Sequence, residues 1–175
     1  MDSTPTASSA SSHGFDDLLA ANRDFAHSHE LSGFDGVARA GVAMVTCMDS
    51  RIDPLRMIGL RAGDAKILRN PGGRVTDATM IALVVSVNLL QVNRVLVVQH
   101  TRCAMASGTE EELKARLSEA SGRDASWLSL GVIEDQVATL TIDVSKVRRH
   151  PLISGAVTVG GFLYDVDTGL LTGIA

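Results

Sequence analysis

Cys47, Asp49 and Arg51 stand at alternate positions where an apolar run beginning at Val42 ends, and a second apolar run, Arg94 to Gln99, ends in His100-Thr101-Arg102-Cys103. Buried strands that end this way deliver polar groups at their carboxyl ends, so two such strands together present Cys, Asp, His and Cys. Thiolate, imidazole and carboxylate are the donors that zinc, a borderline-soft cation, takes in a tetrahedron. A free thiol has a pKa of about 8.5, but a metal ion deprotonates the thiol that coordinates it. Thiolates at Cys47 and Cys103 would cancel the charge of one Zn2+ per chain, and the chain has no third cysteine.

The same residues admit other chemistry. Two cysteines could form one disulfide, or fill a core as small hydrophobes. Neither accounts for a histidine three residues from one cysteine and an aspartate two residues from the other. A phosphatase-like nucleophilic cysteine with a phosphate-binding arginine needs a longer loop than the three residues between Cys47 and Arg51. Gly72 and Gly73 could cradle a phosphate, yet neither the Walker spacing nor the dinucleotide fingerprint is present. They read instead as a pocket wall, where backbone can approach a ligand closely.

In order and spacing, Cys47-Met48-Asp49-Ser50-Arg51, Arg69-Asn70-Pro71-Gly72-Gly73 and His100-Thr101-Arg102-Cys103 resemble the motifs of the β-class carbonic anhydrases. The resemblance runs from about Phe15 to the end of the chain. It implies zinc held by Cys47, His100 and Cys103, and reversible hydration of CO2 to bicarbonate by attack of zinc-bound hydroxide. Asp49 and Arg51 would be the catalytic pair, Asp49 orienting the nucleophile and Arg51 positioning Asp49. In a closed state Asp49 would be the fourth ligand. Asn70, Gly72, Gly73 and Ala104 would line the pocket, and the chain would assemble as a homodimer or a dimer of dimers. Family relatives that hydrolyse carbonyl sulfide or carbon disulfide give an alternative activity, and a zinc module without turnover gives a third reading. Two positions depart from the family pattern: Ala104 replaces the usual Gly after the second Cys, and Arg102 stands where Asp is frequent. The pocket Gln that plant-like members carry before the first Cys has no counterpart, since no Gln precedes Gln91.

The elements that would position these groups alternate between strand and helix. Apolar positions from Phe15 to about His29 (Leu18, Leu19, Phe25) predict an amphipathic amino-terminal arm able to pack on its own core or on a neighbour. A strand from Val42, a short helical turn over Asp53 to Leu60 and a second strand from Ala65 to Arg69 follow. Thr76 is a predicted N-cap for a helix carrying Ile81, Val84, Val85 and Leu89, apolar on most faces and so expected to be buried. The strand ending at His100 comes next. Thr109-Glu110-Glu111-Glu112 has the form of a capping box, opening a helix with Leu113, Leu117 and Ala120 on one face that ends at Gly122. Ile133, Val137, Leu140, Val144 and Val147 predict an amphipathic helix stopped by Pro151. Segments 156–166 and 170–174 flank Asp167-Thr168-Gly169 as a hairpin. The expected fold is therefore α/β: a mostly parallel sheet of order 2-1-3-4, helices on both faces and an antiparallel edge strand. Ligands in such sheets sit beyond the strand carboxyl ends at a topological switch point, here between the strands carrying Cys47 and His100.

Composition bounds the partners. A chain of 175 residues, 45% hydrophobic, suits one core and one domain, expected over residues 15–175 behind a disordered leader at residues 1–14. A net charge of -4 gives no electrostatic reason for nucleic acid or an anionic membrane, which leaves a small substrate such as CO2 or bicarbonate, or another copy of the chain. The leader has neither a basic start nor an apolar core, so a cytoplasmic location is expected. Asn88, Gln91, Asn93 and Arg94 interrupt the most apolar stretch, which excludes a bilayer span there. His13, His27, His29 and His150 carry no pattern that marks them as functional, and Trp127 and Tyr164 read as packing residues.

Overall fold

The computed structural model describes residues 14–153 and 155–175, in two units covering residues 1–35 and 36–175. The leader expected over residues 1–14 lies, Gly14 apart, outside the described residues. The first unit holds α1 (Asp16–His27), which buries no residue and exposes Phe15, Leu18, Leu19 and Phe25.

The second unit is built on a five-stranded sheet of β1 (Val42–Cys47), β2 (Ala65–Asn70), β3 (Arg94–His100), β4 (Thr158–Tyr164) and β5 (Leu171–Gly173), in the order β2-β1-β3-β4-β5. β1 pairs in parallel with β2 and β3, β3 pairs in parallel with β4, and β5 closes the edge antiparallel to β4. The predicted order, parallel core and antiparallel edge are all present. β1 is buried at every position, which is why its sequence runs apolar without alternating. One face of the sheet (Ala43, Val45, Val95, Val97) packs with Leu83 of α2 (Asp77–Leu89) and with Leu140, Val144 and Val147 of α4 (Gln136–Arg149). On the other face Met44, Thr46 and Val98 are also fully buried.

Caps follow the sequence. The Thr76 hydroxyl accepts from the Thr79 N–H at the start of α2, and Thr109 and Glu112 form the reciprocal capping box of α3 (Glu110–Ser121), which ends at left-handed Gly122. Three expectations need correction. The apolar α2 is not buried all round: Thr79, Leu83 and Ser86 face inward, while Ile81, Val85 and Leu89 form an exposed stripe at i, i+4 and i+8. On α3 only Leu113 is buried, and Leu117 is exposed. In α4 the helix begins after the Asp135 cap, so Ile133 lies in the preceding loop and Val137 faces outward. α2 is apolar on nearly every face, so its sequence periodicity does not tell which face meets the sheet.

Candidate metal centre

β1 and β3 are neighbours in the sheet, and their last residues are Cys47 and His100. The chain leaving β3 then turns sharply. Arg102 is left-handed (φ +54°), and Cys103 comes back to lie with its sulfur 3.9 Å from that of Cys47. Both cysteines are free thiols, since a disulfide would hold the sulfurs about 2.05 Å apart. Two zinc–thiolate bonds of about 2.3 Å at a tetrahedral angle span about 3.8 Å, so the observed separation suits a shared metal. The ligand atoms of Cys47, His100 and Cys103 lie within 4.8 Å of one another, and all three residues are buried.

The imidazole is oriented for ligation. His100 Nδ1 lies 2.8 Å from the Thr101 carbonyl oxygen, which fixes its proton there and leaves a lone pair on Nε2. That Nε2 is fully buried without a hydrogen-bond partner, a costly arrangement for a neutral core histidine and the expected one for a ligand. Burial holds His100 below the usual imidazole range and therefore neutral. Burial, together with the adjacent Cys47, pushes the Cys103 thiol up to about 11. A pocket that disfavours a thiolate this strongly is one that a dication would reverse. The Gly72 N–H donates to the Cys47 sulfur at 3.4 Å.

Asp49 stands apart from the three-residue cluster. Arg51 grips it from two sides: Nε donates to Oδ1 at 2.9 Å and Nη2 to Oδ2 at 2.7 Å, while the Arg51 backbone N–H donates to Oδ1 at 2.9 Å. These bonds hold the Asp49 carboxyl well below the usual carboxylate range. Asp49 Oδ2 nevertheless lies 3.9 Å from His100 Nε2, so an ionised carboxylate borders the cluster.

The supporting loops contain residues whose roles the sequence did not disclose. Arg69, at the end of β2, donates to the carbonyl oxygens of Cys47 (2.9 Å), Ile52 (3.3 Å) and Asp49 (2.6 Å), fastening the whole Cys47–Ile52 segment. Asn70 spends its side chain inward: its amide nitrogen donates to the Arg74 carbonyl and the Thr79 hydroxyl, and its oxygen accepts from the Arg74 N–H. Gln136 donates to the His100 carbonyl at 2.8 Å. Gly72 meets Ile133, Gly73 packs under the ends of β1 and β3, and exposed Ala104 opens the short turn after Cys103. A cluster of two thiols and one neutral imidazole, beside a carboxylate locked by a guanidinium, can hold a borderline-soft metal and orient a hydroxyl group next to it.

Comparison with known proteins agrees in extent as well as in motif. The carbonic anhydrase family profile matches residues 42–131. The chain is 32% identical over 160 residues to a β-carbonic anhydrase of Mycobacterium tuberculosis, covering 89% of this chain and 94% of that one. It is similar in structure to a carbonic anhydrase of Streptococcus mutans, with a TM-score of 0.83 and 34% identity over 92% of this chain and 97% of the other. It is also 28% identical over 160 residues to a carbon disulfide hydrolase of Acidithiobacillus thiooxidans, covering 77% of this chain and 73% of that protein.

Proposed function

Because the chain belongs to the β-carbonic anhydrase family, we propose that it catalyses the reversible hydration of CO2 to bicarbonate and a proton, with one zinc ion held by Cys47, His100 and Cys103. The observation that carries this reading is the bidentate Asp49–Arg51 pair beside the cluster, because a purely structural metal site has no use for a locked, ionised carboxylate.

Zinc in this donor set would act as a Lewis acid that lowers the pKa of a coordinated water and so supplies the nucleophile at moderate pH. The protein's own groups do the rest. Burial of the ring keeps His100 neutral, and the Gly72 N–H steadies the Cys47 sulfur. Arg51 takes both lone pairs of Asp49 Oδ1, through Nε and its backbone N–H, and one of Oδ2 through Nη2, and would keep the carboxylate from turning onto the metal as a fourth ligand. The lone pair left on Asp49 Oδ2, the oxygen that faces the cluster, accepts a hydroxyl proton and orients that group towards CO2. Asp49 is partly exposed and Arg51 more so, which leaves a route for the released proton to solvent and buffer. Asn70, Gly72, Gly73 and Ala104 form the wall, with Asn70 bracing it from behind.

Stopped-flow measurement of CO2 hydration on the zinc-loaded protein tests the reading, and a zinc-replete, inactive protein would refute it. The similarity to a carbon disulfide hydrolase favours a second substrate class, linear sulfur electrophiles, on the same site. Assays with carbonyl sulfide and carbon disulfide beside CO2 distinguish the two.

The chain is also proposed to act as a homodimer or a dimer of dimers. α1 buries none of its own residues and presents Phe15, Leu18, Leu19 and Phe25 to solvent, an apolar face that a second copy would cover. A monomer by light scattering at micromolar concentration would exclude this. Among the described residues no helix is long and apolar enough to cross a membrane.

A further inference from the structure

Arg102, where this chain departs from the family motif, is one of two non-glycine residues with a left-handed backbone among the described residues. Such a backbone costs an ordinary residue about 1 kcal/mol, so its surroundings must hold it. Two contacts do so from opposite ends. The Arg102 carbonyl oxygen accepts from Arg51 Nη2 at 3.2 Å, the same nitrogen that donates to Asp49 Oδ2 at 2.7 Å. The Arg102 guanidinium pairs with Asp167, in the turn between β4 and β5.

That turn is itself fixed. Asp165 Oδ1 accepts from the N–H groups of Asp167 (2.8 Å) and Thr168 (3.0 Å). The Thr101 hydroxyl accepts from the Val166 N–H at 3.1 Å, and the Thr101 N–H donates to the Tyr164 carbonyl at 2.9 Å. Asp167 therefore stands on a platform pinned to the residue that follows His100. From it an unbroken chain of polar contacts runs through the Arg102 side chain and backbone to Arg51 and Asp49.

We propose that Asp167 and Arg102 are positioning residues for the Asp49–Arg51 pair. Asp167 anchors Arg102 so that its carbonyl oxygen takes the outer edge of the Arg51 guanidinium and fixes the plane in which Arg51 holds Asp49. The proposal rests on the hydration reading given above for what that plane is used for. It differs from a hairpin brace on energetic grounds. Arg102 and Asp167 are 59% and 63% exposed, and an ion pair so exposed contributes about 0–1 kcal/mol to stability. Its consequence should therefore appear in geometry at the site. The hydrogen bonds that Arg51 donates to Asp49 are the main influence raising the Arg51 pKa, and the Asp167 carboxylate acts in the same direction.

The test uses the zinc-loaded full chain, with Asp167→Asn, Arg102→Ala and the double charge reversal Arg102→Asp with Asp167→Arg. In both single variants kcat for CO2 is expected to fall about tenfold, with KM within about twofold and zinc content unchanged, as for other residues that orient a metal-site group. Tm should move by no more than about 2 °C, because the pair is exposed. The double reversal should recover most of the lost kcat. An independent readout is solvent exchange of the Arg51 Nε–H by NMR, expected to be about fivefold faster in either single variant. Wild-type kcat together with wild-type exchange in Asp167→Asn would overturn the proposal, as would a double reversal no better than the single variants. A wild-type protein inert towards CO2 removes the hydration reading instead, while the Arg51 exchange rate still decides whether Asp167 positions the pair.

Discussion

Gly73 lies directly against the amide of Cys47: a Cβ at this glycine would stand 3.0 Å from the Cys47 nitrogen and 2.7 Å from the Val98 carbonyl oxygen. Its φ of +64° is also one that other residues adopt only with strain. The loop after β2 can thus run beneath the ends of β1 and β3 and bring the Gly72 N–H to the Cys47 sulfur. Gly73→Ala is expected to destabilise the fold by about 3 kcal/mol, from backbone strain plus contact with backbone that cannot yield. Urea unfolding checks the stability, and metal titration should show weaker zinc binding from the displaced Cys47.

One equivalent of zinc per chain is expected by elemental analysis, falling towards zero in Cys103→Ser. Full retention in that variant would remove Cys103 from the ligand set. In the metal-free protein burial and the neighbouring Cys47 push Cys103 up to about 11, so at neutral pH it is a thiol and zinc must displace its proton. Zinc affinity should then strengthen as pH rises towards 11. Calorimetry in two buffers of different ionisation enthalpy should detect the released proton. The sign for stability is opposite: a raised thiol pKa stabilises the metal-free fold below the ordinary thiol value, and that contribution is lost as pH climbs through about 11.

Arg51→Ala is expected to retain zinc, lose hydration activity and gain a fourth oxygen ligand by X-ray absorption, because Asp49 is then free to turn onto the metal. Asp49→Asn should also retain zinc, but an amide accepts the hydroxyl proton poorly, and kcat should fall by about 10–100-fold. Two thiolates neutralise the dication, so wild-type activity should be weak near neutrality and rise at alkaline pH, above the value of about 7 typical of tri-histidine sites. A profile flat from about pH 6 to 9, with near-wild-type turnover in Arg51→Ala, would reduce the pair to a structural salt bridge.

Much of this was legible because the chemistry sits at strand ends. An apolar run that stops at Cys47 and another that stops at His100 specify two buried parallel strands, and parallel strands that bracket a switch point bring their ends together. Caps at Thr76 and Thr109 were equally direct, since each depends on residues within one turn. What escaped notice were the long-range polar partners. Arg69 reaches three carbonyl oxygens on a loop some twenty residues earlier, and no local pattern announces that. Ile133 keeps the helical spacing of α4 yet precedes its cap, because its place is set by contact with Gly72 and not by helix periodicity. Asp143 did leave a signal: it shares the inward face of α4 with Leu140, Val144 and Val147, and a carboxylate there requires a buried partner.

That partner is chiefly Arg74, just beyond Gly73. Asp143 is fully buried, and Oδ2 accepts from Arg74 Nε at 2.7 Å and from the Val75 N–H at 3.0 Å, while Oδ1 accepts from Lys146 Nζ at 3.0 Å. The carboxylate thus ties the loop that carries Gly72 and Gly73 to α4, which is why a distant helix residue bears on the metal centre. Burial alone would raise its pKa, but the hydrogen bonds from Arg74, Val75 and Lys146 outweigh it and leave Asp143 below its ordinary value. A carboxylate depressed on folding contributes stability above its unfolded pKa of about 3.9 and loses that contribution as pH falls through the lower folded value. Asp143→Asn should therefore destabilise the protein by about 2–3 kcal/mol at pH 7, where Arg74 is left without its counter-charge. The gap from wild type should narrow at acid pH, once the depressed pKa of Asp143 has been passed and its own carboxyl is protonated. Urea unfolding of the metal-free protein at both pH values keeps zinc loss in acid out of the comparison. An equal difference at the two pH values would show that the side-chain shape of Asp143, and not its charge, holds the loop to the helix.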